Sequence, residues 1–363
     1  MKKEPWIRLK KRSSVSIGKA VGIRCIAVVL SLLVCALIIV AITGQNPVEV
    51  YQGIIDGAVG TKRRTWVTIR ETMTLLIIAI GLAPVFKMRF WNIGAEGQVL
   101  VGGVCTAALM IYCKDAIPSW LLLVFIGFAS SLAGMVWGWI PAVFKAKYNT
   151  NETLFTLMLN YVAMQIVLIC IAFWEHPVGS NTVGIINGDT KSGWFPELFG
   201  QQQTLTVIIA FILVIFMYVY LKYSRHGYEI AVVGESENTA NYSGMNVRKV
   251  IMRTVMLSGA ICGLAGAVIV SGSSHTISTS TAGGRGFTAI IVAWMAKFNP
   301  FIMILVSAFL VFMQQGSVQI ASQFGLNQNA SDIITGMLLF FLIGCEFFIQ
   351  YKVKFRSTRK EEA

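Results

Sequence analysis

Apolar runs long enough to cross a bilayer recur along this chain from end to end. A crossing helix needs about 20 predominantly apolar residues. Ten candidate runs lie near residues 23–43, 67–86, 94–113, 119–144, 152–174, 203–221, 253–271, 286–298, 300–316 and 331–349. The eighth is too short to cross alone and reads as half-inserted. Composition agrees: 55% of the 363 residues are hydrophobic and 13% are charged, against roughly 25% charged in soluble domains. The predicted fold class is an all-α polytopic membrane protein of about ten transmembrane segments, with no length left for a large soluble domain. The first run follows a long cationic lead and has no small-residue cleavage site after it, so it is expected to be a retained span and not a signal peptide.

Lys and Arg orient such a chain, because they concentrate in cytoplasmic loops. With the N-terminus inside, the inner segments hold 23 of the 30 basic residues. The exception is an outer cluster, Lys62, Arg63, Arg64 and Arg70. Both termini are expected to be cytoplasmic: a basic N-terminus over 1–22, a transmembrane domain over 23–350 with an inner loop at 222–252, and a tail over 351–363. The net charge of +13 then reads as an orientation signal plus attraction to anionic lipid. Nucleic-acid binding is not expected, since the basic residues are spread over many short loops.

Two polar interruptions break the apolar pattern. Residues 90–98 read Phe-Trp-Asn-Ile-Gly-Ala-Glu-Gly-Gln, and residues 272–288 form a Gly-, Ser- and Thr-rich stretch containing Arg285 and Phe287. Irregular or polar backbone at membrane depth persists only where protein buries it or water wets it, and an ionisable group there is a functional-site hypothesis by default. For Glu96 the alternative is a helix-opening acid that favours the positive helix end. Two broken hydrophobic segments, one in each half, also suggest an inverted repeat with a path between the halves. Phe90, Trp91, Asn92, Glu96, Gln98, Asn160, Arg285 and Phe287 are the expected path residues. The aromatics among them offer faces to a ring or simply pack, and Asn160 alone would read as interhelical glue. Glu96 is expected to be the only acid well inside a span, with Glu71, Glu152, Asp332 and Glu346 nearer span ends.

Elsewhere the signals are structural. Asn46-Pro47 opens a segment readable as an amphipathic helix at the outer surface. Asn149 with Glu152 resembles a capping box. In the inner loop, Ser236–Tyr242 fits two helical turns between Gly234 and Gly244 as punctuation; it is a knob for a soluble partner or an ordinary solvated loop. Trp174 and Trp194 read as interfacial aromatics. The seven cysteines sit in or beside apolar runs, as small buried hydrophobes do, and neither a disulfide framework nor a metal site is expected. There is no phosphate-binding G-x-x-x-x-G-K-[ST] loop and no zinc-protease or serine-hydrolase motif, so the chain is not expected to be an enzyme.

Four stretches, in order, resemble one family. They are Asn92-Ile-Gly-Ala-Glu-Gly-Gln98; Asn151-Glu152 with Thr156 to Tyr161; Gly234-Glu235 with Ala240, Tyr242 and Gly244; and Gly284-Arg-Gly-Phe287 with Ala289-Ile290. Together they are similar to the permease subunits of ABC importers for nucleosides and simple sugars, within the ribose and branched-chain amino acid permease group. Departures from the usual pattern are Trp91 for Phe, Ser236, Glu237 and Thr239 for Asn, Pro and Ala, and Met295-Ala296 for Leu-Gly. The resemblance implies a cell-membrane permease with no cofactor of its own. A cytoplasmic ABC ATPase that uses ATP would couple at Gly234, Glu235, Asn238, Ala240, Tyr242 and Gly244. A second, different permease chain and an extracytoplasmic binding protein would complete the importer. Nucleoside is the favoured solute, with ribose or another simple sugar as the alternative. An ion-coupled secondary carrier is the competing class, and the scarcity of acids within the spans argues against it.

Overall fold

The computed structural model describes residues 7–11, 17–44, 46–114, 116–198, 200–323, 325 and 351–355, together with scattered helical positions between 333 and 349. The described chain is helical apart from two short strands, β1 (Ile7–Lys11) and β2 (Tyr351–Phe355). The helices are α1 (Ile17–Thr43), α2 (Pro47–Val59), α3 (Lys62–Lys87), α4 (Ala95–Tyr112), α5 (Ser119–Tyr148), α6 (Glu152–Trp174), α7 (Thr204–Tyr223), α8 (Arg225–Glu235), α9 (Glu237–Tyr242), α10 (Val247–Ile269), α11 (Arg285–Met295) and α12 (Pro300–Gln323). A π-helical turn, Val270–Ser274, extends α10.

Among the described residues, seven helices are long and apolar enough to cross a membrane: α3, α4, α5, α6, α7, α10 with its π turn, and α12. Of the three other expected spans, 23–43 falls in α1. The run 286–298 becomes α11, whose 11 residues extend about 16 Å, half a hydrocarbon core. Most of 331–349, with Asp332 and Glu346, lies outside the described residues.

The chain divides into two compact units, residues 66–311 and residues 1–65 with 312–363. The first is built around α4, α5 and α10, whose backbones approach through glycine. A Cβ on Gly102 would lie 2.2 Å from the Gly263 carbonyl, one on Gly134 2.2 Å from the Gly259 carbonyl, and one on Gly266 2.2 Å from the Val99 carbonyl. In a membrane, where lipid removes the hydrophobic incentive to pack, small residues at the contact let dispersion hold helices together. The outward faces of α5, α6 and α7 are apolar and exposed, including Trp120, Phe128, Phe173 and Ile212, as lipid-facing surfaces are.

In the second unit α2 is not merely a surface helix. Asn46 caps it, accepting from the Val48 N–H at 3.0 Å, and Val50, Ile54 and Ala58 are buried. A Cβ on Gly57 would meet Gly316 of α12 at 3.0 Å, and one on Gly316 would meet Ile54 at 2.6 Å. The spacing Gly53-x-x-x-Gly57 is thus a helix-packing seam. In the same unit β1 and β2 pair antiparallel, with Ile7 opposite Phe355 and Lys11 opposite Tyr351.

Several local expectations are corrected. Asn149 is not the first member of a capping box: it ends α5 in the left-handed region at φ 49°, which Asn tolerates. The cap of α6 is Asn151, accepting from the Leu154 N–H at 3.2 Å, and Glu152 pairs with Lys145 at 2.9 Å. Gly234 is not punctuation but the penultimate residue of α8. Cys25 is exposed on α1, while Cys262 and Cys345 are buried.

Candidate functional site

Helix α3 ends at Lys87, and the chain runs irregularly over residues 88–94 before α4 begins at Ala95. Backbone groups freed by such a break need partners. Here α6 supplies them. The Ile93 N–H donates to Thr156 Oγ1 at 3.1 Å, and the Gly97 N–H donates to Asn160 Oδ1 at 2.8 Å. Asn160 Nδ2 donates to the Ile93 carbonyl at 2.9 Å. Asn92 Oδ1 closes the turn by accepting from the Gly94 N–H at 2.9 Å. Asn160 is therefore more than glue between helices: its amide replaces hydrogen bonds that a continuous helix would have made.

The second break runs from His275 to Gly284, ahead of α11. It is closed by charge. Glu96, in the first turn of α4, points across to the start of α11. Its Oε1 accepts from the Gly284 N–H at 2.7 Å and its Oε2 from the Gly286 N–H at 2.8 Å. Both donors lie at a helix N-terminus, where orphan N–H groups and the positive dipole end favour an anion. Glu96 is an N-terminal acid as expected for a helix opener, but the terminus it satisfies is that of another helix. Glycine is required on the partner side: a Cβ on Gly286 would lie 2.6 Å from the Glu96 nitrogen.

Arg285, between those two glycines, pairs with Glu71 of α3, which also accepts from Arg70 Nη2 at 2.8 Å. The Glu71 side chain is only 14% exposed. Glu71, expected nearer a span end than Glu96, is thus a second largely buried acid. The segment Gly284–Gly286 is thus gripped twice, through its backbone by Glu96 and through its side chain by Glu71. A carboxylate beside an arginine within an apolar helix was visible in the sequence as Arg70-Glu71; what it pairs with was not.

At the other end of α11, Trp294 stacks on Trp91, with centroids 5.4 Å apart and planes 20° apart. Phe86 and Phe298 meet Trp294 edge-on. Trp91 and Trp294 both remain more than 40% exposed. Trp294 was not singled out by the sequence, because one indole in an apolar run carries no signal.

The expected path residues therefore separate. Asn92, Glu96, Asn160 and Arg285 converge on the two breaks. Gln98 is buried away from them, against Gly138 of α5, and Phe90 is buried. Trp91 belongs to the aromatic group, and Phe287 is exposed on α11. Of the expected coupling residues, Ala240 is fully buried and Tyr242 is 94% exposed; Glu235 and Asn238 are exposed. Gly244 takes the left-handed φ of 77° that ends the turn. Gly234 packs on the last turn of α3, where a Cβ would lie 2.2 Å from the Lys87 carbonyl. That contact joins α8 to the residues that lead into the first break.

Seven apolar helices long enough to cross a membrane, with two broken segments bridged to each other, fit a membrane transport protein. Residues 64–343 match the family described as the branched-chain amino acid transport system permease component, and the chain belongs to that family. It is 28% identical to the guanosine ABC transporter permease protein NupP of Bacillus subtilis, over 87% of this chain and 91% of that one. It is 27% identical to the nucleoside ABC transporter permease protein NupB of Lactococcus lactis, over 93% of this chain and 94% of that one. The glucose ABC transporter permease protein TsgB13 of Haloferax volcanii is 25% identical, over 98% of this chain and 95% of that one. No solved structure matches. The chain is a multi-pass plasma-membrane permease, not an enzyme.

Proposed function

We propose that this chain is one of two permease subunits of an ATP-driven ABC importer and carries nucleosides, purine nucleosides such as guanosine among them. The observation that carries the reading is its near full-length similarity to two permeases named for guanosine and nucleosides. The glucose permease relative keeps a sugar as the second reading.

In this reading the chain crosses the membrane about ten times, with α11 and the irregular residues before it together making one crossing. The two broken segments belong to inverted repeats. The basic stretch 1–22 and the tail 351–363 are cytoplasmic and flank a transmembrane domain over 23–350. Pairing of β1 with β2 supports the termini lying on one side. A binding protein delivers the solute from outside, and a second, different permease chain forms the other wall of the path. Asn92, Glu96, Asn160 and Arg285 hold the wall contributed here, and Trp91 and Phe287 offer ring faces to a nucleobase.

The ATPase, which supplies the nucleotide chemistry, docks on α8 and α9 at Glu235, Asn238 and Tyr242. Its different contacts with two conformations of the permease bias the equilibrium between them. The route into the membrane runs from α8 through Gly234 to Lys87, and on to residues 88–94 and Glu96. Affinity for the solute resides mainly in the binding protein, so the permease needs no tight pocket.

The test is uptake of labelled guanosine, glucose and ribose in cells with and without the chain, each repeated after ATP depletion at a preserved proton gradient. Loss of ATP-dependent guanosine uptake on deletion is expected. Loss of sugar uptake alone changes the cargo, and gradient-driven uptake indifferent to ATP overturns the ABC reading.

A further inference from the structure

A groove of about 360 Å³ lies between α8 and the first turns of α10, lined by Arg225, Tyr228, Glu229, Lys249 and Arg253 and by the turn Ser243–Asn246. Its charge is unbalanced. Glu229 accepts from Arg225 Nε at 3.2 Å, and neither Lys249 nor Arg253 has a carboxylate partner among the described residues. Lys249 and Arg253 therefore face a concavity whose one carboxylate, Glu229, is engaged by Arg225, and the excess positive charge favours an anion between them.

The groove sits where a spanning helix ends. α7 stops at Tyr223, and Ser224 caps α8 by accepting from the Gly227 N–H at 2.9 Å. In the last turns of α7, Lys222 Nζ donates to Tyr218 Oη at 2.9 Å and lies 5.2 and 5.3 Å from the centroids of Tyr218 and Tyr223. Tyrosine and a turned-back lysine at a span end mark the headgroup level. Arg253, six residues into α10, lies about 9 Å along that helix. α7, which leads directly into α8, presents an exposed apolar face formed by Ile212, Ile215, Phe216 and Val219. A cationic concavity walled by α8, next in sequence to a span with an exposed apolar stripe, fits an amphipathic ligand. Free phosphate has no use for the stripe, and cations this exposed hold a lone anion weakly.

We propose that this groove binds the phosphate headgroup of one anionic phospholipid, with Lys249 and Arg253 as its ligands and the acyl chains lying along α7. The proposal is independent of which solute the permease carries. It gives the segment that contains α8 a fixed point on the membrane surface.

The test is native mass spectrometry of the full chain released from nanodiscs of phosphatidylglycerol or phosphatidylcholine, comparing the unaltered protein with a Lys249→Gln, Arg253→Gln variant. The unaltered protein should retain one more phosphatidylglycerol, and the variant should bind it at least tenfold more weakly, with phosphatidylcholine retained equally by both. The charge-conserving pair Lys249→Arg, Arg253→Lys should keep the lipid. Should the double glutamine variant not fold, Lys249→Gln alone, at an exposed position, carries the same comparison. Equal phosphatidylglycerol retention overturns the proposal. So does displacement of the lipid by millimolar inorganic phosphate, which would assign the groove to the free ion. Expulsion of the lipid by added ATPase, which would make the groove a protein contact, overturns it as well.

Discussion

The two broken segments solve one problem with different chemistry. Residues 88–97 are completed by neutral groups, the Thr156 hydroxyl and the Asn92 and Asn160 amides. Residues 284–286 are completed by carboxylates, Glu96 on the backbone and Glu71 on Arg285. Neutral amides supply the missing bonds at a lower desolvation cost than charges, although the Asn92 Nδ2 is buried without a partner among the described residues. Ionised groups bind more strongly but demand full pairing, since a buried charge left alone is expensive. The first break is thus a fixed splice, and the second is held by interactions whose loss costs more.

Substitutions at a few places put that contrast at risk. The largest effect is expected for the Glu71–Arg285 pair. Glu71→Gln takes the shared carboxylate from Arg70 and Arg285 at once, at a cost of up to about 3–5 kcal/mol, and uptake should fall below a tenth; Arg285→Gln, which leaves Glu71 paired with Arg70, should cost less. The exchanged pair Glu71→Arg with Arg285→Glu should recover part of the lost thermal stability, and no recovery would mean that the two charges act separately.

Next comes Glu96→Ala, which strips an acceptor from the buried Gly286 N–H, at about 1–3 kcal/mol, and from the half-buried Gly284 N–H. Uptake should be lost while the importer still assembles, as read by co-purification of its subunits. Loss of assembly instead would make Glu96 a structural cap alone. Asn160→Ala removes only neutral hydrogen bonds, net about 0.5–1.5 kcal/mol apiece, and a melting-temperature loss as large as that of Glu96→Ala would erase the distinction between the breaks.

Gly234→Ala tests the connection between α8 and the first break. Its Cβ would overlap the Lys87 carbonyl at 2.2 Å, so ATPase stimulation by the permease should drop while solute binding by the binding protein is untouched. Glu235→Arg, on the exposed docking face, should lower stimulation too; full stimulation would move the docking site elsewhere.

The smallest effect is the pH response of the same region. Burial holds the His226 imidazole below its usual value of 6.5. The unfolded chain therefore takes up that proton first as the pH falls. The histidine's contribution to stability is complete above about pH 6.5 and is lost as the pH drops through the folded-state value. His226→Gln should flatten the melting temperature between pH 7 and pH 5, whatever its constant offset at pH 8 from the lost Tyr220 contact.

Much of this was legible in the chain. Hydropathy marked the spans because each needs a run of apolar residues whatever its neighbours are. Both breaks stood out because polar side chains and glycine inside such runs are costly in lipid unless protein or water surrounds them. The Asn46 cap of α2 was readable for the same local reason. The expectations that fail share a cause. Gly234 looks like punctuation when its neighbours are unknown, and Asn149 and Asn151 are both good cap residues two positions apart. Trp294 needed Trp91 beside it to mean anything.

Residue order alone makes this a helical membrane protein with two polar interruptions, since bilayer thickness and the cost of unpaired backbone in lipid act on each segment separately. How those interruptions are completed is a matter of tertiary packing. Glu96 and Gly286 are 190 residues apart, and Glu71 and Arg285 are 214 apart. Which acid meets which helix end depends on which helices pack, and that packing is set by glycines whose value is the space they leave to a distant backbone.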